Sequence, residues 1–340
     1  MLTRQEAIQQ LTAAGQPLEL IEVEANGHWV RAFRNAPPTL RDLYASGRSD
    51  LPFIVFEDER LTFEETWRRA CTLAEALIEE YGVGKGDRVA ISMRNYPEWM
   101  IAFMAATSIG AIAVAMNALW QPHEMDYALK HCAPKVLIAD QERLDRLAAI
   151  GSHISLPLIA VRSDAILPAT ARAWADVLSR PERSEMPAVE MAPDDDAIML
   201  YTSGTTGNAK GAVSTHRNVI SALLSWELDA QSNVLRGVLP APVVGAPQGG
   251  GLLAIPLFHV TGLHGVFLGA FRSQRRVVTM YKWDAEKGAE LIERERLTNF
   301  MAPPTVTGDL VEVAKRSGRD LTSLAAVGGG GAARAPEQVR

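Results

Sequence analysis

Apolar positions along the chain follow two alternating rhythms. Trp67, Ala70, Cys71, Ala74, Leu77 and Ile78 recur three and four residues apart, which predicts a helix. Thr62 stands where it can cap that helix, and Glu65 completes a reciprocal capping box. Other apolar runs are short and continuous: RVAISM (88–93), AIAVAM (111–116), KVLIAD (135–140), LPLIAV (156–161) and AIMLYTS (197–203). Runs of this length between helical patterns predict parallel strands buried on both faces. Asn95 is placed to cap the next helix, with Pro97 in its first turn, and another helix is predicted near 122–131. Beyond 203 come a Gly/Thr loop, a strand at GAVST (211–215), a helix over 216–226 and a Pro- and Gly-rich loop over 231–251. The alternation then resumes with LLAIPLF (252–258), a helix at 263–271, RVVTM (276–280), a helix at 285–296, NFMAPP (299–304), a helix at 306–316 and AAVGGGG (325–331).

The predicted fold is α/β, with two similar subdomains of mostly parallel sheets flanked by helices. Residues 1–35 form an N-terminal extension. Residues 81–236 form the first subdomain, and residues 36–80 with 237–340 form the second. The chain stops inside a helical pattern, PEQVR, with no glycine cap, so a truncated second subdomain is expected.

Composition changes this picture little. The 340 residues are 47% hydrophobic and 22% charged, which suits a globular chain with a sizeable core. A net charge of −6 gives no reason to expect a nucleic-acid partner. Two isolated cysteines, Cys71 and Cys132, form neither a disulfide framework nor a zinc pattern, which fits a reducing, cytoplasmic setting. The N-terminus MLTRQEAIQQ lacks an apolar signal core. Residues 99–122 are 24 residues without a formal charge, long enough to span a bilayer. Gly110, however, divides the run into a helix-length and a strand-length piece, so no transmembrane segment is expected.

The chemistry is concentrated in YTSGTTGNAKG (201–211), where four aliphatic hydroxyls, three glycines and a lysine fall within eleven residues. Glycines admit backbone N–H groups close to phosphate oxygens, hydroxyls add donors, and a lysine adds a point charge. The spacing is not that of a Walker A loop, which places GK[ST] directly before a helix. Here a strand follows, so the loop is expected to join two antiparallel strands. A bare solvated turn would need far fewer hydroxyls.

This string closely resembles the phosphate-binding signature of the adenylate-forming (AMP-binding) superfamily, usually YTSGTTGxPKG, with Ala209 in place of the proline. The resemblance continues through LTFEETWRRACTLAEAL, GVGKGDRVAISMRNYPEWMIAFMAATSIGAI, HCAPKVLIAD, PLFHVTGL (256–263) and VGGGGAA (327–333), and covers roughly residues 38 to 340. It points to the acyl-CoA synthetase, or fatty-acid–CoA ligase, branch and to fatty acid metabolism. It implies a layered adenylate-forming large-domain fold with the C-terminal part absent. It implies ATP, Mg²⁺ and coenzyme A, and a small carboxylic acid as substrate. By motif, Ser203, Gly204, Thr205, Thr206, Gly207 and Lys210 would hold the β- and γ-phosphates, and Thr202 would help place Mg²⁺. Gly329, Gly330, Gly331 and Ala332 would lie against adenine. The resemblance also leaves room for an acyl-AMP ligase that feeds a carrier protein, and for a non-catalytic nucleotide-binding fragment.

His259 follows Phe258 where the amino-acid-activating branch of the superfamily has Asp. The resemblance sets it beside the acyl carboxylate and the thiol route, and makes it, with Lys210, a candidate catalytic residue. With no carboxylate to balance an ammonium, the acid is expected to lack an α-amine. Asp194, Asp195 and Asp196 are expected to form a solvated turn, His216 and Arg217 to face solvent, and His264 to pack. The resemblance places three further groups beyond residue 340: a Glu for Mg²⁺, an Asp for ribose, and a lysine that contacts the acid. Each is worth several kcal/mol of transition-state stabilisation. Pyrophosphate release by the 340-residue chain is therefore expected to fall far below that of a complete synthetase, and turnover within tenfold of one would overturn this expectation.

Overall fold

The structure, a computed structural model, describes residues 2–151, 155–202 and 207–329. The chain opens with α1 (Arg4–Leu11), the hairpin β1 (Leu20–Ala25) and β2 (His28–Phe33), and α2 (Leu40–Ser46). The hairpin turns through Asn26 and Gly27, both at positive φ, as a two-residue primed turn requires. The residues expected as an extension are thus folded, and Arg4 reaches Asp229 at 2.8 Å.

β3 (Pro52–Phe56), β4 (Glu59–Thr62) and α3 (Phe63–Glu79) follow, then β5 (Arg88–Ser92), α4 (Pro97–Ser108), β6 (Ile112–Ala115), α5 (Pro122–Cys132), β7 (Val136–Asp140), α6 (Gln141–Ile150), β8 (Leu158–Val161), β9 (Ala171–Ala173) and α7 (Trp174–Val177). The next hairpin is β10 (Asp196–Thr202) and β11 (Lys210–Thr215), followed by α8 (His216–Leu235) and β12 (Gly250–Leu253). A π-helix (Thr261–Leu268) continues as α9 (Gly269–Arg272). The described chain closes with β13 (Arg276–Thr279), α10 (Ala285–Arg294), β14 (Asn299–Ala302), α11 (Pro304–Ser317) and β15 (Ala326–Gly329).

The strands form two large sheets. One has seven strands in the order β11-β10-β6-β5-β7-β8-β9, parallel except for the β10/β11 pair. The other has six in the order β15-β14-β12-β13-β3-β4, parallel except for β3/β4. β3 therefore pairs with a strand more than two hundred positions later in the chain and carries β4 with it. In each sheet the chain goes first to one side of a central strand and then to the other. β5 is that strand in the first sheet and β12 in the second. Such switch points open a crevice outside the carboxyl ends of the strands.

The capping box predicted for α3 is present, with Thr62 and Glu65 exchanging bonds at 2.8 and 3.0 Å. Eleven of the twelve residues of α4 are buried, which accounts for the uncharged run. Its Trp99 and Phe103 join Ile91 of one sheet and Ile54 and Val277 of the other in one continuous core. Among the described residues no helix is long and apolar enough to cross a membrane. Cys71 and Cys132 are buried and unpaired.

Three local expectations are corrected. Asn95 does not cap α4; Tyr96 occupies the cap position without a side-chain bond. Asn95 turns the other way, toward the second sheet, where it meets two unpaired backbone groups. α8 runs to Leu235, beyond the expected end at 226, because Val219, Leu223, Leu224 and Leu228 give it a buried stripe. His216 does not face solvent. It is fully buried, and its Nδ1 accepts a bond from the Leu40 N–H at 3.1 Å.

Desolvation pushes the His216 pKa down to about 4. The folded state thus disfavours the imidazolium, whereas the unfolded chain binds its proton near pH 6.5. Stability from this site is fully present above pH 6.5 and is lost as pH falls toward 4, by an amount on the order of 3 kcal/mol. His216→Asn keeps an acceptor for Leu40. It should flatten the pH 4–6.5 limb of a urea-unfolding profile, and an unchanged slope would refute this assignment.

Candidate active site

β10 and β11 pair antiparallel in a register that sets Thr202 opposite Lys210, as expected for the glycine-rich loop. Its base is held firmly. The Tyr201 hydroxyl donates to the Ala128 carbonyl at 3.1 Å, and His131 Nδ1 lies 3.0 Å from it. Trp120 meets the Tyr201 ring edge-on at 5.1 Å. Burial raises the phenol's pKa well above its ordinary value, so it stays neutral and serves as a donor. At the mouth the Thr202 hydroxyl donates to the Lys210 carbonyl at 3.4 Å.

Gly207 sits at φ +118, a conformation that a side chain would strain. Lys210 is exposed, and among the described residues no carboxylate lies within ion-pair distance of it. Ser203, Gly204, Thr205 and Thr206 lie outside the described residues, as do Gly330, Gly331 and Ala332. Gly329 ends β15, paired with Ala302 of β14.

His259 lies past the carboxyl end of β12. Of the expected LLAIPLF strand only Leu252 and Leu253 belong to β12, which begins two residues earlier at Gly250; the chain then turns sharply. Two bonds from Asn95 hold this turn: Nδ2 donates to the Ile255 carbonyl at 3.0 Å, and Oδ1 accepts from the Leu257 N–H at 3.0 Å. The Thr279 hydroxyl, at the end of β13, donates to the Asn95 carbonyl at 2.7 Å. The His259 N–H donates to the Pro256 carbonyl, and the His259 carbonyl accepts from Leu263 at 2.9 Å, which starts the π-helix. Single-turn π segments inside helices are often functional sites, and a π-helix of eight residues is rarer still.

Gly262 is required at this turn, because a Cβ there would lie 2.3 Å from the Pro256 carbonyl oxygen. The His259 ring sits 4.6 Å from that of Phe258, and desolvation lowers its pKa. It is therefore a neutral imidazole at neutral pH.

Thr202, His259 and Gly329 stand at or beyond the carboxyl ends of parallel strands, and Lys210, which opens the antiparallel β11, pairs with Thr202 at the same level. The Asn95 bonds bring the switch points of the two sheets into contact. β10 and β15 are each two strands from those points, about 10 Å away. Asn95 was visible in the sequence but gave no sign of this role, because its partners lie about 160 residues away. Leu257, Phe258 and Leu263 are buried in the core, and Val260 is exposed. An apolar cavity of about 130 Å³ lies farther along the π-helix, beside Gly265, Val266, Met301 and Gly328.

The remaining candidates are accounted for by local contacts. Asp194 pairs with Arg217 at 2.7 Å and Asp195 with Lys85 at 2.7 Å. Among the described residues no three acidic, His or Cys side chains gather as a metal group. His264 is buried, and desolvation lowers its pKa to about 4.

A crevice at two facing switch points, flanked by a hydroxyl- and glycine-rich hairpin, is the setting of a nucleotide-dependent enzyme, and family comparison makes the class specific. Residues 42–340 match the model of the AMP-binding enzyme family, and the chain belongs to that family. It is 30% identical over 281 residues to 4-coumarate–CoA ligase 2 of Oryza sativa subsp. japonica, covering 80% of this chain and 48% of that protein. It is 32% identical over 261 residues to the long-chain-fatty-acid–CoA ligase FadD13 of Mycobacterium tuberculosis, covering 75% of this chain and 47% of that one. The chain thus spans about half the length of the curated relatives it matches. The inhibitor-bound N-terminal domain of FACL13 from Mycobacterium tuberculosis superposes with a TM-score of 0.71 at 27% identity, covering 89% of this chain and 72% of that one.

Gly262→Ala should push the Pro256 carbonyl out of the His259 turn and cost about 2 kcal/mol or more in urea unfolding. Wild-type stability in this variant would show that the turn has room the structure does not give it.

Proposed function

We propose that this chain carries the ATP- and acid-binding part of an AMP-forming acid–thiol ligase. The carboxylate of a non-amino acid attacks the α-phosphorus of ATP, the bond to the β-phosphate oxygen breaks, and pyrophosphate leaves. The thiol of coenzyme A then attacks the acyl carbonyl and AMP leaves. The observation that supports this most directly is the contact between the two switch points: the Thr202–Lys210 hairpin opens two strands from one of them, and the His259 turn follows the other.

The residues suit the groups they would hold. Lys210, exposed and without an ion-pair partner among the described residues, would offer its cation to the β- and γ-phosphates, and Thr202 a hydroxyl toward Mg²⁺. The metal, when bound, neutralises phosphate charge. Positioning and charge neutralisation are most of what phosphoryl chemistry asks of a protein. Gly329 begins a stretch with no side chain to separate adenine from the backbone. His259, neutral and fixed at its backbone by Pro256 and Leu263 in the turn that Asn95 holds, would sit at the acyl carbonyl, where it can polarise the acid or admit the thiol. Residues 81–236, and residues 36–80 with 237–340, are read as the two subdomains flanking this crevice. The membership of their strands in separate sheets supports that reading.

Two sets of probes test the reading on this chain, using calorimetry. Loss of Lys210 removes a charge-assisted bond worth about 1.5–3 kcal/mol. Lys210→Ala should weaken ATP binding about tenfold or more, and leave sulfamoyl-adenosine mimics of acyl-AMP, which lack β- and γ-phosphates, unaffected. Hexanoyl, decanoyl and benzoyl mimics should bind at least a hundredfold tighter than leucyl and phenylalanyl ones, because a buried unpaired ammonium costs several kcal/mol. Tighter binding of the aminoacyl mimics would overturn the substrate class.

A further inference from the structure

The cavity beside the π-helix is apolar along most of its wall but has a cationic end. Gly265 and Val266 lie on the helix that starts at His259. Met301 and Gly328 face them from β14 and β15, and Gly328 adjoins Gly329 at the carboxyl ends of the strands. At the opposite level stand Arg275, just before β13, and Asn299, the first residue of β14.

Three arginines are clustered here. Arg272 pairs with Glu227 at 3.1 Å, and Arg276 lies 3.8 Å from Glu295. Arg275, between them, has no carboxylate within ion-pair distance among the described residues. Its one side-chain bond is from Nε to the Ser273 hydroxyl at 2.7 Å, which leaves both terminal nitrogens without a protein acceptor. Desolvation lowers its pKa, and the side chain is half-buried at the rim of the cavity. Asn299 adds to the imbalance. Its Oδ1 accepts from Thr298 at 2.9 Å, so its amide N–H groups remain as donors. This end of the cavity therefore presents donors and a positive charge, with no acidic side chain to meet them.

We propose that the cavity takes the body of the acid and that Arg275 and Asn299 bind a second, anionic group at its far end, so that the preferred substrate is an aryl or short dicarboxylic acid. The proposal rests on the reading of the His259 crevice as the acyl-adenylate site. The geometry suits a compact body. From Asn299 to Met301 the strand rises about 7 Å. A volume of about 130 Å³ is close to that of an engineered cavity known to hold benzene. A guanidinium offers two parallel N–H groups that match a carboxylate, so a matching ligand gains more than a generic anion would. An alkyl end at this position would leave those half-exposed donors to solvent, without the two parallel bonds that a carboxylate gains.

The test compares two sulfamoyl-adenosine mimics of equal size on this chain, 4-carboxybenzoyl and 4-methylbenzoyl, by calorimetry. The carboxylated mimic should bind at least tenfold tighter. Arg275→Gln should reduce that preference to within threefold while leaving 4-methylbenzoyl affinity unchanged. Equal binding of the two mimics by the wild-type chain, or tighter binding of 4-methylbenzoyl, would overturn the proposal and leave the adenylate site intact; this holds even if the variant does not fold. If neither mimic binds, the reading of the crevice fails, and the proposal fails with it.

Discussion

One buried amide holds the candidate site together. Asn95 follows the central strand of one sheet, and its side chain bonds both to the carbonyl of Ile255 and to the N–H of Leu257, just past the central strand of the other. A buried backbone group without a partner costs roughly 1–3 kcal/mol, so the turn after β12 is tied to this amide. Thr279 fixes Asn95 in turn through its carbonyl. The crevice between the sheets, the His259 turn and the start of the π-helix all take their position from this contact. Neither sheet could place His259 alone.

The two sides of the crevice are built on different physical terms. The hairpin side is anchored at its base through Tyr201, Ala128 and Trp120 and is exposed at its mouth, where Lys210 has no ion-pair partner among the described residues. That arrangement suits a highly charged, solvated ligand met by backbone and hydroxyl donors. The π-helix side is tightly packed. Gly262 lies against the Pro256 carbonyl, and a Cβ on Gly265 would come within 3.0 Å of Met301 Sδ. Arg275 and Asn299 stand half-buried at the far end of the cavity on this side, where they are its polar lining.

The sequence and the structure agree where the determinants are local or follow a short period. The α3 capping box, the parallel strands, the buried α4 and the antiparallel flanks of the glycine loop were all readable from residues a few positions apart. Disagreement came where long-range packing decided. Asn95 looked like a helix cap because Asn before Pro is a common cap pattern. It is drawn away by two backbone groups in the other sheet. His216 looked solvent-facing at the start of a helix, yet the Leu40 N–H needed an acceptor and the core closed over the ring. The cationic end of the cavity left no trace in the pattern at all, because one of three nearby arginines lacks a partner only once the strands are in register.

By itself, the sequence determined the fold class, the family and the composition of the glycine- and hydroxyl-rich loop. Periodicity, capping and a contiguous run of glycines and hydroxyls are properties of neighbouring residues, and they survive without any knowledge of the rest of the chain. Tertiary structure alone decided which sheet β3 and β4 join, that the two switch points touch, and that Asn95 makes the contact. It also decided what surrounds the acyl side of the crevice. Those outcomes depend on which buried polar groups find partners across more than a hundred residues, and chain order carries no record of that matching until the sheets are assembled.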